Sequence, residues 1–406
     1  MLRHLPAALL WCLTLAFATA APLEIPSPAG RGSMGASLAT GADGAVFLSW
    51  LEPVNEAEWT LQFSRFDHPS RTWSEARTIA RGGDWFINWA DFPSVTPLSE
   101  RHLLAVWFVN NPAGKESAGG DHDHGAGYHA EYSLSDDGGA TWSKPQGITG
   151  ESTSTEFVAA LALGENSRAF AAWLDGRDRA HNGGVQKLFA QTLLAQGPDA
   201  LVDPSVCDCC QLALVRTGND ALLAYRGRTR DEVRDIRLAR WRDGKWETPR
   251  PLHDDNWEIS ACPVNGPRLA ARGAHVAAVW FTGAQSQPRV QAKISRDGGQ
   301  TFGDAVRLDL GRPQGRVDAA VLADGSAVFT WLEMTGREPG HAGGIYARRV
   351  VAVDGAVGEP QLLAPTSTAR ASGFPRLVLL DDRHALLAYT AQSGESRVAT
   401  LLIELK

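Results

Sequence analysis

The chain has 406 residues and a formal net charge of −7, a balance that offers no general attraction to nucleic acid or to an anionic membrane surface. Its 41 glycines and 14 tryptophans against 3 methionines suit a sheet protein with many turns. Beyond the N-terminal leader no segment reaches the roughly 18 apolar residues that a membrane span needs.

In chain order, residues 1–20 read as a secretory signal peptide: Arg3, an apolar run from Leu5 to Phe17, then Ala18-Thr19-Ala20 before Ala21. Cys12, preceded by Trp11 and followed by more apolar residues, is a poor match to a lipoprotein box. The expectation is a periplasmic or secreted chain that starts near Ala21, with residues 21–406 as one domain. That stretch carries a recurring run of small and apolar residues closing on an aromatic, at Trp50, Trp107, Trp173, Tyr225, Trp280, Trp331 and Tyr389. The spacings are 57, 66, 52, 55, 51 and 58 residues. A period of that size with strand-like alternation predicts an all-β fold, a β-propeller of four-stranded blades in which no blade buries its faces alone. With each aromatic run as a second strand, the blades fall at about 34–80, 93–148, 157–201, 211–252, 266–308, 317–363 and 374–405. Seven blades are favoured over six. The last unit stops after its third strand, and the segment after the leader is expected to supply the fourth.

Two repeats carry a further signature, Ser135-Asp136-Asp137-Gly138-Gly139-Ala140-Thr141-Trp142 and Ser295-Arg296-Asp297-Gly298-Gly299-Gln300-Thr301-Phe302. Both suit a hairpin turn in which the Asp accepts from backbone N–H groups and a Gly takes positive φ. Here the chain resembles the sialidase superfamily, whose propellers carry such Asp boxes, also called bacterial neuraminidase repeats. The resemblance implies that the boxes are structural and sit between third and fourth strands, on the face away from the active site. Fold is thereby implied more firmly than activity.

The opposite face then collects the links between second and third strands and those between blades. These hold the unusual chemistry: residues 84–93 (DWFINWADFP), 121–129 (DHDHGAGYH), 175–179 (DGRDR), 206–211 (VCDCCQ), 225–235 (YRGRTRDEVRD) and 257–267 (WEISACPVNGP). Loops on a rigid scaffold carry function, so this face is the expected site.

Four cysteines follow the leader. Cys207, Cys209 and Cys210 lie in the link between blades 3 and 4, and Cys262 lies in the next link. In an oxidising compartment two disulfides are one reading. The other is a thiolate metal or redox site, since soft sulfur selects Cu(I), Zn(II) or similar ions. His122, His124 and His129 are candidate additional ligands, so copper or zinc is the cofactor these residues suggest. The CDCC segment, the following YRGRTRDEVRD run and ACPVNGP also resemble a group of exported sialidase-like bacterial propellers. That likeness covers most of the mature chain and implies no particular reaction.

The sialidase resemblance implies an arginine triad for the sugar carboxylate, a Tyr activated by a Glu as nucleophile, and an Asp as acid and base. An arginine fork holds a carboxylate in bidentate fashion, and an oxocarbenium-like transition state needs a nucleophile on one side and a proton donor on the other. Candidate arginines are Arg177, Arg226, Arg228 and Arg376. Candidate catalytic residues are Asp231, Glu232, Tyr225, Asp91 and Asp175, with Glu156 as a further acid. Trp89 and Trp257 are candidate stacking platforms for a sugar. Of the few tyrosines, Tyr225 occupies a blade aromatic position and Tyr128 lies in the His loop. The Arg-Ile-Pro motif of the family's first triad arginine is absent, since the region reads Leu23-Glu24-Ile25-Pro26-Ser27-Pro28.

The expected function is an exported sialidase-like propeller that binds an anionic or glycan ligand at the channel mouth. If it is an enzyme, the resemblance makes it a sialidase-type exo-glycosidase, although a clear triad is lacking. The alternatives are a periplasmic copper- or zinc-handling or redox-linked protein using the cysteines, and a non-catalytic docking platform for another exported protein.

Overall fold

The computed structural model of the chain describes residues 21–111, 127–150, 154–164, 168–179, 184–194, 198–337, 342–392 and 394–405. The expected signal peptide and the positions of His122 and His124 lie outside the described residues.

Each aromatic-ended run forms the second strand of an antiparallel sheet, and seven such sheets make a seven-bladed propeller. The inner strands, in blade order, are Met34–Thr40, Ser94–Pro97, Thr155–Leu163, Ala213–Thr217, Arg268–Arg272, Pro313–Val321 and Arg376–Leu379. The ring closes as the sequence predicts. Leu23–Ile25 pairs antiparallel with Arg397–Glu404 and completes blade 7, so the two ends of the described chain share one sheet.

The second strands read as near-continuous apolar runs because both of their faces are covered by neighbouring blades. Leu103–Asn110, for example, is buried from its first residue to its seventh. Trp50, Trp107, Trp173, Trp280 and Trp331 are sealed within the core together with Tyr225. An indole or phenol buried in this way needs an acceptor. In blades 1, 3 and 6 the strand supplies it two residues later on the same face. Trp50 Nε1 donates to Glu52 (2.9 Å), Trp173 Nε1 to Asp175 (2.9 Å) and Trp331 Nε1 to Glu333 (2.7 Å). In blade 5 Trp280 donates to Asp255, and in blade 4 Tyr225 Oη donates to Asp203 at 2.6 Å.

The two Ser-x-Asp-x-Gly-x-Thr segments form tight turns between third and fourth strands. Asp137 accepts from Ala140 N, Thr141 N and Thr141 Oγ1, and Ser135 Oγ accepts from Gly139 N. Gly139 has φ 85°, and a Cβ there would lie 2.3 Å from Phe63 of blade 1, so the turn also presses one blade onto the next. These turns mark one face of the ring. The links between second and third strands and between blades emerge on the other.

The closing strand gives a direct test. Ile25 is buried at 4% exposure whereas Leu23 is 56% exposed. Ile25→Ala should cost about 2–4 kcal/mol as a buried aliphatic truncation, while Leu23→Ala should stay within about 0.5 kcal/mol. Urea midpoints at unchanged slope measure both.

Candidate functional site

The link from blade 1 to blade 2, residues 83–93, crosses the end of the channel as a strap. Its contacts lie on blades 2, 3, 4, 6 and 7. Trp89 stacks on Phe374 at 5.7 Å, under the guanidinium of Arg316, and Phe92 packs on Phe374 and carries Arg376. Gln211 Nε2 donates to the carbonyl of Ala90 at 2.9 Å. Asp91 is buried and its Oδ2 accepts from Tyr128 Oη (2.8 Å) and Phe157 N (3.1 Å). Burial holds its carboxyl well above the usual range against those two hydrogen bonds.

Beneath the strap a cavity of about 580 Å³ runs between the inner strands, and Asp91, Gln211, Arg268 and Arg376 line its strapped end. Arg376 opens the inner strand of blade 7 and is 4% exposed. Its Nη1 is buried with no hydrogen-bond acceptor among the described residues. The carboxylate beside it, Asp318, is 4.0 Å away and already accepts from Arg268 Nε, Ala319 N and Leu377 N. Burial, then the like charge of Arg268, takes Arg376 down to about 9. Arg316 lies two residues before Asp318 on the inner strand of blade 6 and is satisfied by the carbonyls of Thr368, Ala369 and Gly373 and by Ser372 Oγ.

Half-buried Glu156 adjoins Tyr128. Its carboxyl is raised to about 7 by burial, against the charge of Arg179 and a hydrogen bond from Ser154. Tyr128 stacks on Phe86 with ring centres 3.7 Å apart. Burial, reinforced by the charges of Asp91 and Glu156, holds its hydroxyl well above the ordinary phenol value.

The sulfur-bearing links meet beside this group. Cys207 and Cys210 are buried, and Cys209 and Cys262 are partly exposed. Cys207 Sγ lies 3.4 Å from Cys210 Sγ and 3.8 Å from Cys209 Sγ, and Cys262 Sγ lies 3.9 Å from Asp208 Oδ1. Two main-chain contacts fix the loop: Cys207 N donates to the carbonyl of Arg226, and Gly266 N donates to Gln211 Oε1. The second contact requires a glycine, because a Cβ on Gly266 would stand 2.1 Å from the Gln211 carbonyl oxygen. Around the thiols, Arg234 Nη1 donates to Cys207 Sγ (3.4 Å) and Asp208 (3.3 Å), and Arg179 pairs with Asp208. Burial opposes the Cys207 thiolate. Hydrogen bonds from Cys209 and Cys210 with the charges of Arg234 and Arg226 outweigh it and take Cys207 well below the ordinary thiol value.

Several expected site residues have other work. Tyr225, expected as a nucleophile, is fully buried in blade 4 and donates a hydrogen bond to Asp203, which corrects that role. Asp175 caps Trp173 and also accepts from Arg177, so neither serves an open site; Arg177 pairs with Asp199 as well. Arg226 donates to the carbonyls of Asn265, Arg234 and Phe281 and lies over buried Trp257, so this pair is packing rather than a sugar platform. Trp89 is likewise held inside the strap. Arg228 and Arg234 both clasp Glu232, leaving Asp231 exposed beside them. His129 faces Asn111 and Glu131 and belongs to neither thiol group. Of the expected residues, Asp91 and Arg376 meet at the cavity and the four cysteines meet at the loops. Arg268, Asp208, Arg179 and Arg234 join them unannounced. Arg268 had a signal, since Pro267-Arg268-Leu269 and Pro375-Arg376-Leu377 are one tripeptide at one position of two blades.

No family model and no curated protein matches the chain. Among solved structures it is similar to a protein of unknown function from Dyadobacter fermentans, with TM-score 0.54 and 15% identity over 96% of this chain and 99% of that one. NanB sialidase from Streptococcus pneumoniae aligns at TM-score 0.46 and 12% identity, over 96% and 71% of the two chains. The α-L-arabinofuranosidase Arb93A from Fusarium graminearum aligns at 0.48 and 13%, over 95% and 98%. At these identities the likeness is one of fold alone. No helix among the described residues is long and apolar enough to cross a membrane.

Glu156 predicts a pH dependence. Its folded pKa of about 7 stands above the unfolded value, so the native state holds the proton more tightly. The associated stability is present in full below about pH 4.5 and is lost as pH rises towards 7, by about 1–3 kcal/mol. Glu156→Gln should flatten that slope in denaturant titrations run between these pH values.

Proposed function

We propose that this propeller binds a small anionic ligand, an oxyanion or the carboxylate of an acidic sugar, at the strapped end of its channel. The observation that carries the reading is Arg376, a guanidinium buried at the cavity with one Nη lacking an acceptor among the described residues. A buried polar group without a partner is costly, and an arginine fork matches a carboxylate or phosphate edge. Arg268 lines the same cavity, so two cations stand there against the one engaged carboxylate of Asp318. The raised Asp91 carboxyl favours its neutral form, which lessens its repulsion of an anion. In this reading residues 1–20 direct the chain to the periplasm or beyond.

A second reading is glycoside hydrolysis, favoured by Glu156. A carboxyl raised to about 7 beside a tyrosine suits the giving and taking of a proton at neutral pH. Tyr128, not Tyr225, is then the tyrosine concerned. Fluorogenic sialosides and α-L-arabinofuranosides test it: turnover that Glu156→Gln abolishes supports hydrolysis, and none across the panel leaves binding alone.

Calorimetric titration with inorganic phosphate and with glucuronate, at constant ionic strength, should give saturable binding to at least one. Arg268→Gln should weaken it about tenfold or more, as loss of a charge-assisted contact does. Arg376→Met should abolish binding and, without anion, leave the fold as stable as wild type or more so, because it removes a buried charge whose nearest carboxylate, Asp318, keeps Arg268 as its partner. Non-saturating heats from both probes, or equal affinity in Arg268→Gln, would sink the reading.

A further inference from the structure

The anion reading leaves the sulfur cluster unused. Three sulfurs, those of Cys207, Cys209 and Cys210, lie within 4.8 Å of one another. A thiolate-bound ion with metal–sulfur bonds of about 2.3 Å holds its sulfurs about 3.8–4.0 Å apart. The separations of 3.4 and 3.8 Å from Cys207 are close to that geometry. A second group, Asp208 with Cys209 and Cys262, has the same compactness and shares Cys209 with the first.

We propose that Cys207, Cys209 and Cys210 form a binding site for one thiophilic monovalent cation, Cu(I), which reaches them through Cys262 and Asp208. The donor set argues for a soft ion, because the inner group is all sulfur and hard cations take oxygen. Neither group contains an imidazole among the described residues. Burial orders the two groups. Cys207 and Cys210 are each 1% exposed, whereas Cys209, Asp208 and Cys262 are partly open. An ion arriving on the outer group can pass inward by exchanging Cys262 and Asp208 for Cys207 and Cys210 while Cys209 keeps hold.

The electrostatics fit a monovalent ion on three thiolates, which together carry a charge of −2. Arg234 donates to Cys207 Sγ, and Arg179 and Arg228 reach Asp208 at 3.4 and 4.0 Å. This shell offsets a negative thiolate complex in a buried place, where an uncompensated charge would be expensive. The loop is also pre-shaped. Cys207 is tied through its N–H to Arg226, and the link carrying Cys262 is tied through Gly266 to Gln211, so binding need not first order the ligands.

The test uses the whole chain after its leader, reduced and metal-free under anaerobic conditions, titrated with Cu(I) against the chromogenic chelator bicinchoninate. One equivalent should be withheld from the chelator. Cys210→Ser should weaken retention about a hundredfold, as loss of a ligand in a three-sulfur set does. Cys262→Ser should keep the stoichiometry but capture copper more slowly. Because Cys210 is buried and its variant can misfold, Cys209→Ser, at a partly open position, provides the same affinity test, with circular dichroism to confirm the fold. The proposal is overturned if a reduced chain with four reactive thiols leaves all copper on the chelator. It is equally overturned if Zn(II) is held more tightly than Cu(I), if folded Cys209→Ser binds as wild type does, or if exported protein has lost the hydrogens of all four thiols to disulfides.

Discussion

A buried indole has one donor and no way to hide it, and the blades of this protein are organised around that constraint. Each second strand closes on a large aromatic pressed between neighbouring sheets, and in five blades a carboxylate accepts its hydrogen bond. The arrangement places ionised or hydrogen-bonded acids deep in the core, where only an exact partner makes them tolerable. Those acids are then committed. Asp175 cannot both hold Trp173 and act on a ligand, and Asp203 is spent on Tyr225.

The strap has a comparable effect on the channel. Residues 83–93 run over one end and pack on blades 7 and 3 through Trp89, Asp91 and Phe92, and under Arg316 of blade 6. The carbonyl of Ala90 and the Asp91 carboxylate find partners in Gln211 and Phe157, beyond the two blades that the strap joins. The cavity is thereby closed by polar and aromatic groups at one end, and two of its three lining arginines, Arg268 and Arg376, stand there. Of the three arginines at this level, Arg316 is absorbed by carbonyls, and Arg268 and Arg376 share one aspartate. Uneven partnering, more than the presence of arginine, gives that end its character.

Much of this was readable in the residues. The aromatic period located every blade, and an unfinished last unit announced the closing strand. The links that carry cysteine were placed as neighbours, and their thiols do meet. The roles of single polar side chains were less legible. Tyr225 and Arg226 belong to a run that looks like a charged loop, yet both end a buried strand. Asp175 was visible as an acid, but its service to Trp173 follows only from noticing that two residues apart on a strand means the same face. Whether a guanidinium ends against carbonyls, as Arg226 does, or beside a cavity, as Arg376 does, depends on which link crosses which blade. Nothing in the ten letters DWFINWADFP reveals that they span a channel.

The pairing of Leu23–Ile25 with Arg397–Glu404 bears on the order of events in the life of the chain. Ile25 and Thr400, joined by a hydrogen bond, are separated by 375 positions, nearly the full span of the described residues. A ribosome delivers the first of these partners long before the second exists. Six blades can form by local pairing as they appear, but the seventh waits for the final strand, and until then its edges stay open to other chains. Nearly complete polypeptides are thus the vulnerable species, and loss of even the last few residues would leave a ring that cannot latch.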